Sequence, residues 1–451
     1  MYIKSVRIEN LRSIASTSLE LNSPDDKSMK FPNVNVILGD NGMGKSTVLR
    51  ALALGVLAPI MSDSGYRPDS MVRRPPLDTK DKLERSDPKS GNVAVVLHLD
   101  EQDGFPFAAA VDQYDRDIEL TGEISRRGDF ETFLWDNLGG VSWKATTKKL
   151  PWRQIDARHL MDVFWARESA AFFIVGYGTT RRVEPSERFD PYAREKSRAP
   201  RYARVAGLFE DQITMIPLSS WLPKLQVENK GRYTQVVNLI NKLLPDNCRL
   251  AGFDTSKGPD YFFEMNGSDV PFSALSDGYR AYMSWIGDML YHVCMNSPRG
   301  KKLVENHGVV LIDEVDLHLH PAWQKSVLPT LSRALPNVQF IVTTHSPLVV
   351  GSLQAPNLFV LEAGEHGVEV TRRPERVHGA SAEQILLSPY FGLSSTRAPE
   401  VEKNLRKTSQ RVSTKNPEAA LEYLRLLNQT LGNETVAASL PEKKRATKAV
   451  R

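Results

Sequence analysis

The sequence predicts an α/β protein: a mixed, largely parallel sheet flanked by helices, with an antiparallel β part inserted into it. Three observations lead there. Apolar runs at 34–38 ("VNVIL"), 171–182 ("AFFIVGYGTTRR"), 308–314 ("GVVLIDE") and 338–345 ("VQFIVTTH") are separated by helical patterns, as in parallel strands covered on both faces. The first run enters a glycine loop, "GDNGMGKST". Between that loop and the second run lie short alternating stretches, the mark of antiparallel strands.

Taken in order, residues 2–9 alternate apolar and polar and read as a strand. A helix is expected from Ser46 through about Leu57. Residues 62–92 are polar, with proline and mixed charge, and read as a loop. Strands are expected at 92–99, 105–111 and 117–124, and a buried strand at 171–182 ending in a glycine-bearing turn. From 181 to 204 the chain is basic, with Arg181, Arg182, Arg188, Arg194, Lys196, Arg198, Arg201 and Arg204 around Phe189, Tyr192 and Tyr202. A solvated loop is the favoured reading there, and a nucleic-acid or partner surface the other. An amphipathic helix is expected at 232–245, then a hairpin turning at Asn266–Gly267. "PFSALSDGYRAYMSWIGDML", 271–290, reads as a helix with apolar residues at 279, 283, 286 and 290 behind a small polar start. Beyond about 380 the chain reads helical, with a frayed "PEKKRATKAVR" end. There is no internal repeat.

Composition narrows the function classes. With 451 residues, 41% hydrophobic and 25% charged, the chain has ample core material. A formal charge of +4 excludes a polycation, so any nucleic-acid contact must come from a local patch. Cys248 and Cys294 cannot form a disulfide framework. The N-terminus lacks the apolar core of a signal peptide, and the longest apolar stretch, 51–61, is too short to span a bilayer. A cytoplasmic protein with no membrane contact is expected.

The glycine loop fits G-x-x-x-x-G-K-[ST] through Gly39, Gly44, Lys45 and Ser46. Glycines let backbone N–H groups close around phosphate, and the helix start adds positive potential. Lys45 would neutralise β- and γ-phosphate charge and the Ser46 hydroxyl would bind Mg²⁺. Gly39, Asn41, Gly42, Gly44, Lys45, Ser46 and Thr47 are therefore the nucleotide-binding candidates, with ATP and Mg²⁺ as cofactors. Asp313 and Glu314 end a buried run. Alone they could be a solvated strand end; beside a phosphate loop, Asp313 suits Mg²⁺ and Glu314 suits polarising a water. His345, after "IVTT", is either a satisfied polar group at a core edge or a γ-phosphate sensor. His318 and His320 raise a metal site, but a spacing of two without cysteine is weak, and Pro321 reads as a helix start.

This order of phosphate loop, Ser-Asp-Gly helix, Asp-Glu strand and histidine strand resembles the ATP-binding cassette (ABC) ATPases. "LSDGYR" resembles their signature, which implies that Ser276 and Gly278 serve the nucleotide of a head-to-tail partner. The resemblance thus implies a homodimer, with higher assembly left open. "IENLRS" resembles the opening strand of the branch that holds RecF, SMC proteins and OLD-type nucleases, placing Arg12 and Ser13 near the nucleotide. Two features depart from the family: Asp277 and Tyr279 replace the usual signature glycine and glutamine, and no Q-loop glutamine ends the 171–178 run. No heptads separate Lys45 from Ser276, and the stretch after His345 is too short for an OLD nuclease domain. The tail from "GASAEQILL" resembles defence-associated ATPases of Septu and related retron systems, where a separate HNH nuclease cuts nucleic acid. The expected organisation is an ABC-type head over 1–380, with an insertion at roughly 62–269, and a helical extension over 381–451. The expected function is an ATPase controlling a partner nuclease, without a nuclease of its own; a RecF-like DNA-repair ATPase is the alternative.

Overall fold

The structure, a computed structural model, describes residues 1–74, 88–100, 103, 114–135, 141–145, 152–154, 170–183, 200–253, 261–298, 300–364, 367–411 and 417–430. The strand expected at 105–111, residues 184–199 of the basic segment and the basic C-terminal end lie outside the described residues.

The alternating N-terminus forms β1 (Tyr2–Leu11), which turns at Arg12–Ser13 into an antiparallel neighbour, β2 (Ile14–Glu20). β3 (Val34–Gly39) then delivers the glycine loop and the helix Lys45–Val56. β4 (Ser90–His98), β5 (Tyr114–Arg127), β6 (Phe130–Leu134), β7 (Val141–Ala145) and β8 (Trp152–Gln154) follow. They join β1 and β2 in a sheet ordered β2-β1-β4-β5-β7-β8, with β6 on β5. The antiparallel sheet therefore takes in the N-terminal strands as well as the insertion.

The run expected as a strand over 171–182 is extended only at β9 (Ile174–Tyr177), because Phe172 turns the chain at φ 54°. β10 (Arg182–Val183) pairs instead with β11 (Thr214–Met215). The helix Leu218–Glu228 is not foreshadowed by the sequence pattern, since it contains Pro223. Burial of Trp221, Leu222 and Leu225 holds it despite the lost N–H. The amphipathic helix runs from Lys230 to Leu243. β12 (Cys248–Phe253), β13 (Tyr261–Met265) and β14 (Ser268–Pro271) form a small sheet whose hairpin turns at Asn266 (φ 52°) and Gly267 (φ 79°). The helix Asp277–Asn296 follows.

β15 (Gly308–Ile312), β16 (Val338–Thr343), β17 (Leu358–Gly364) and β18 (Gly367–Thr371) complete a sheet ordered β18-β17-β3-β16-β15-β9. All its pairings are parallel except that of the edge strand β18 with β17. Register sets Thr343 opposite Ile37, and Ile312 opposite both Val342 and Tyr177. The glycine loop, Asp313, His345 and Gly178 consequently leave the sheet at one edge, the carboxyl ends of its strands, where open α/β sheets carry ligand sites.

The two faces of this sheet carry separate cores. Val36, Leu38, Val310, Ile312, Phe340 and Val342 pack with the helices at 218–243, 277–296 and 327–334. Ile37, Val309, Leu311 and Ile341 pack instead with the helix Lys45–Val56, whose far side meets Val6, Ile8, Val93 and Val95 of the antiparallel sheet. Gln339, fully buried in β16, joins the two sheets directly. Its amide nitrogen donates to the carbonyls of Ile3 and Asn22, both at 2.8 Å, and its oxygen accepts from Ile3 N at 2.8 Å. At the sheet margins, a Cβ added to Gly367 at the start of β18 would lie 2.9 Å from Ala15 Cβ in β2.

The chain divides into two compact units, Met1–Ile385 with Pro389–Phe391, and Leu386–Ser388 with Gly392–Arg451. In the second unit the helices Pro399–Arg411 and Pro417–Thr430 pack on each other, with Leu405 and Ala419 buried. Among the described residues, no helix is long and apolar enough to cross a membrane.

One ionic cluster ties three adjacent strands. Asp117 in β5, 1% exposed, accepts from Lys4 of β1 at 2.8 Å and His98 of β4 at 2.7 Å. Burial pushes the Asp117 carboxyl up, but these hydrogen bonds and charges outweigh it and hold the group at about 2. A carboxyl depressed on folding contributes stability that is complete above its unfolded value and lost as pH falls through its folded value. Asp117→Asn should therefore lower unfolding stability by roughly 2 kcal/mol at pH 7. Denaturant titration should show that difference shrinking between about pH 4 and pH 2.

Candidate functional site

At the end of β3 the backbone adopts conformations that only glycine takes freely, with Gly44 at φ +95°. A Cβ on Gly44 would lie 2.7 Å from Ser13 Oγ, and one on Gly39 would lie 2.7 Å from the Leu361 carbonyl. The loop is thus pressed between the β1–β2 turn and β17, with Asn41 and Gly42 exposed at its tip. The helix Lys45–Val56 has Gly44 as N-cap, no side-chain capping bond and no acid in its first turn. Its first N–H groups are open to an anion, as at phosphate-binding helix starts. Lys45 is buried, and its Nζ donates to the carbonyls of Gly39 (2.7 Å) and Asp40 (3.0 Å). Burial lowers the Lys45 pKa, while Asp313, Glu314 and Asp40 oppose that shift. Ser46 is half-buried, and Thr47 is buried behind it.

Ser13 therefore touches the loop. The Arg12 backbone, at φ 49°, is held by Arg12 N to Met71 O at 2.9 Å, and Nε donates to Ser70 O at 3.3 Å. Its charge is felt at Arg50, on the loop's own helix, whose pKa burial lowers first and Arg12 lowers further.

Asp313 and Glu314 follow β15 directly. Asp313 is 6% exposed and accepts from Thr343 Oγ1 at 2.6 Å, while the same hydroxyl accepts from Glu314 N at 2.7 Å. One threonine of β16 thereby orders both acids. Glu314 sits at φ 48°, a left-handed conformation uncommon for a residue with a side chain. Two residues here escape the sequence reading. Arg181, just past β9, donates from Nη2 to the carbonyls of Asp313 and Glu314, the latter at 2.8 Å. Asp316 accepts from Thr344 Oγ1 and, at 3.4 Å, from the His345 backbone N. Asp316 stands two residues beyond the Asp-Glu pair, a spacing that could have drawn attention to it. Arg181 donates to backbone carbonyls, which leave no trace in a sequence.

His345 is exposed at the end of β16. His320 caps the short helix Pro321–Gln324, its Nδ1 accepting from Ala322 N at 3.2 Å, and His318 is exposed at φ 64°. Among the described residues no group of three or more His, Cys, Asp or Glu is arranged to hold a metal.

Ser276 and Gly278 belong to a different hollow. They line a groove of about 1050 Å³ with Asn247, Tyr279, His318 and Trp323. Ser276 is the N-cap of the helix Asp277–Asn296, yet its exposed side chain makes no capping bond. Asp277 pairs with Arg280 of the same helix. A Cβ on Gly278 would lie 3.2 Å from the His318 carbonyl, so this helix start and the segment after Asp-Glu touch. The chain's own packing thus gathers the glycine loop, Asp313 and Glu314, and aims the Ser276 helix start into a separate groove.

An ATP and Mg²⁺ fit these residues: an uncapped helix start, a glycine cradle that a Cβ would fill, a buried lysine, and Ser46 with Asp313 as oxygen donors. The comparisons with known proteins find ATPases. A family model described as "AAA ATPase domain" matches residues 1–56, and one described as "AAA domain, putative AbiEii toxin, Type IV TA system" matches 188–351. The Septu protein PtuA of Bacillus mycoides (strain KBAB4) is 25% identical over 448 residues, covering 98% of this chain and 52% of that protein. The "Retron Ec83 probable ATPase" of Escherichia coli is 24% identical over 427 residues, covering 85% of this chain and 75% of that one. The chain spans about half the length of that Septu relative. Among solved structures, the SMC head domain from Thermotoga maritima matches with a TM-score of 0.44 at 15% identity, over 83% of this chain and 100% of that one.

Gly44 and Gly42 make a paired test of the cradle. Both have positive φ, but a Cβ on Gly42 meets open space. Gly44→Ala should weaken binding of a fluorescent ATP analogue by about tenfold or more, and Gly42→Ala by clearly less. Equal losses would mean that contact with Ser13 is immaterial.

Proposed function

We propose that this chain is an ABC-like ATPase of the kind its Septu and retron relatives represent, binding and hydrolysing ATP as a cytoplasmic subunit of an anti-phage defence system. It acts there as a nucleotide-gated head, pairing head-to-tail with a second copy and controlling a separate HNH-type nuclease. The observation that carries this reading is the division of the site. Lys45, Asp313 and Glu314 meet at one sheet edge, while the Ser276 helix start, uncapped by its own hydroxyl, lines another hollow.

ATP supplies the phosphoanhydride bond, and Mg²⁺ the charge that draws its oxygens together. The residues of the chain do the rest. Main-chain N–H groups of the loop and helix start hold the β-phosphate, and Lys45 leaves the Gly39 and Asp40 carbonyls to neutralise the terminal phosphates. Ser46 and Asp313 would hold the metal. Glu314 orients a water and accepts its proton as the water oxygen bonds to the γ-phosphorus and the β–γ phosphoanhydride bond breaks, releasing ADP, and His345 steadies the γ-phosphate from the end of β16. Across the dimer, Ser276 and the N–H groups behind Gly278 complete the anion site of the partner. Closure of two heads around ATP gives the two-state element through which a partner protein can be switched.

Glu314→Gln should retain ATP binding and lose turnover by roughly a hundredfold, the scale of a positioned general base. Wild-type ATPase rates in that variant would remove Glu314 from the chemistry. Ser276→Arg and Lys45→Ala chains should each be inactive alone and recover part of the ATPase activity when mixed, because a mixed dimer retains one intact site. Turnover by a protein shown to be monomeric would overturn the head-to-tail arrangement. The purified chain should not cut nucleic acid with Mg²⁺ and ATP; cleavage lost in Glu314→Gln would place a nuclease within it.

A further inference from the structure

Arg181 occupies a position for which ATP binding alone gives no reason. It is half-buried, and its hydrogen-bond partners among the described residues are all backbone carbonyls. Nε donates to Gly178 at 3.2 Å, and Nη2 donates to Asp313 and to Glu314. Its guanidinium carbon also stands 5.9 Å from the ring centroid of Trp285, on the helix that starts at Ser276. Burial pulls its pKa down to about 10, opposed by Asp313, Asp316 and Glu314, so the group stays charged at neutral pH.

Glu314 is the residue this cation constrains. A left-handed backbone at a non-glycine residue persists only where its surroundings over-determine it. Here the N–H of Glu314 is bound by Thr343, and its carbonyl receives both Arg181 and, at 3.0 Å, the N–H of Leu317. Remove Arg181, and the carbonyls of Asp313 and Glu314 lose the donor that fixes the peptide planes on either side of the Glu314 Cα. With only Thr343 and Leu317 left holding this residue, the carboxylate would then be less narrowly aimed.

The second half of the arrangement reaches the helix. Trp285 is fully buried against Tyr282, with ring centroids 5.6 Å apart, and against Tyr177 of β9 at 6.2 Å. Asp288, further along the same helix and 4% exposed, accepts from Tyr177 Oη and from Ile216 N, each at 2.7 Å. The end of β9 is therefore tied to the Ser276 helix on one side and, through Arg181, to the Asp-Glu turn on the other.

Resting on the reading of Glu314 as the water-orienting base, we propose that Arg181 is its positioning residue, and that through Trp285 it passes the placement of the Ser276 helix to Glu314. The helix whose exposed start serves the partner's nucleotide thus also governs, within its own chain, how well Glu314 is aimed. Each site is completed by the partner and aligned by its own helix.

The test uses the full chain in four forms besides wild type: Arg181→Ala, Arg181→Lys, Glu314→Gln and the Arg181→Ala/Glu314→Gln double variant. Affinity for a fluorescent ATP analogue, kcat for ATP and the thermal midpoint are measured for each. Arg181→Ala should lower kcat by roughly 10- to 100-fold, the scale of a misplaced catalytic group. It should leave nucleotide affinity within about threefold, since the loss falls on the transition state. Arg181→Lys should restore little, because an ammonium lacks the planar set of donors that spans Gly178 and the two acidic residues. The double variant should be no slower than Glu314→Gln, because a misaimed base and an absent base have the same effect.

Independent, multiplying losses in the double variant would overturn the proposal, as would an affinity loss as large as the rate loss. If Arg181→Ala does not fold, full kcat in Arg181→Lys overturns it and reduced kcat at unchanged affinity supports it. The outcomes separate the two readings. A fast Glu314→Gln sinks the role of Glu314 and this proposal with it; a slow Glu314→Gln beside a fully active Arg181→Ala sinks only the role of Arg181.

Discussion

Enclosure of one helix between two sheets is the constraint from which the molecule is built. The helix Lys45–Val56 has apolar residues on every side because it has no solvent face to speak of, with Val48, Leu49, Leu52 and Leu54 all fully buried. Gly55 shows how tight the enclosure is, since a Cβ there would lie 2.2 Å from a Val95 methyl. A helix so held resists sliding along its axis, and it anchors the base of the glycine loop at its head. Anchoring of that kind lowers the ordering cost of binding a ligand there. Gln339 strengthens the arrangement by joining the two sheets through uncharged hydrogen bonds, which no change of pH can weaken by titration.

Against that fixed element, the acids at the end of β15 are held by short local bonds and an uncommon backbone. Thr343 gives Asp313 a hydrogen bond and receives one from Glu314 N, so β16 orders what β15 supplies. Strain at Glu314, of order 1–3 kcal/mol for such a conformation, is tolerated because its own N–H and carbonyl and the Asp313 carbonyl are all hydrogen-bonded. Sites of this kind trade stability for aim.

Much of this is legible in the residues. Runs such as Val309–Ile312 are apolar at every position because both faces of their strand are covered, and they read as parallel strands for that reason. Lys45, Asp313 and the Ser276 helix start stand out by spacing, because glycine loops and acid-tipped strands need particular residue types in order. β2 escapes notice because "IASTSLE" has only two fully buried side chains, Ile14 and Leu19, and their odd spacing breaks the period-2 alternation. The helix at 218–228 is hidden by Pro223, a local preference overridden by tertiary burial. Arg181 is lost in a basic run, since bonding to carbonyls places no demand on neighbouring residue types. His320 is ambiguous in sequence and proves to cap a helix.

The meeting of Gly367 with Ala15 has a consequence for life at high protein concentration. β18 and β2 are outermost strands of different sheets, and a single Cβ would separate them. A free strand edge offers unpaired N–H and C=O groups to any extended chain nearby, and long, flat ones seed aggregation. Here each margin stands in the other's way. The glycine is what lets the two margins lie this close, and a larger residue at 367 would force one of them to shift.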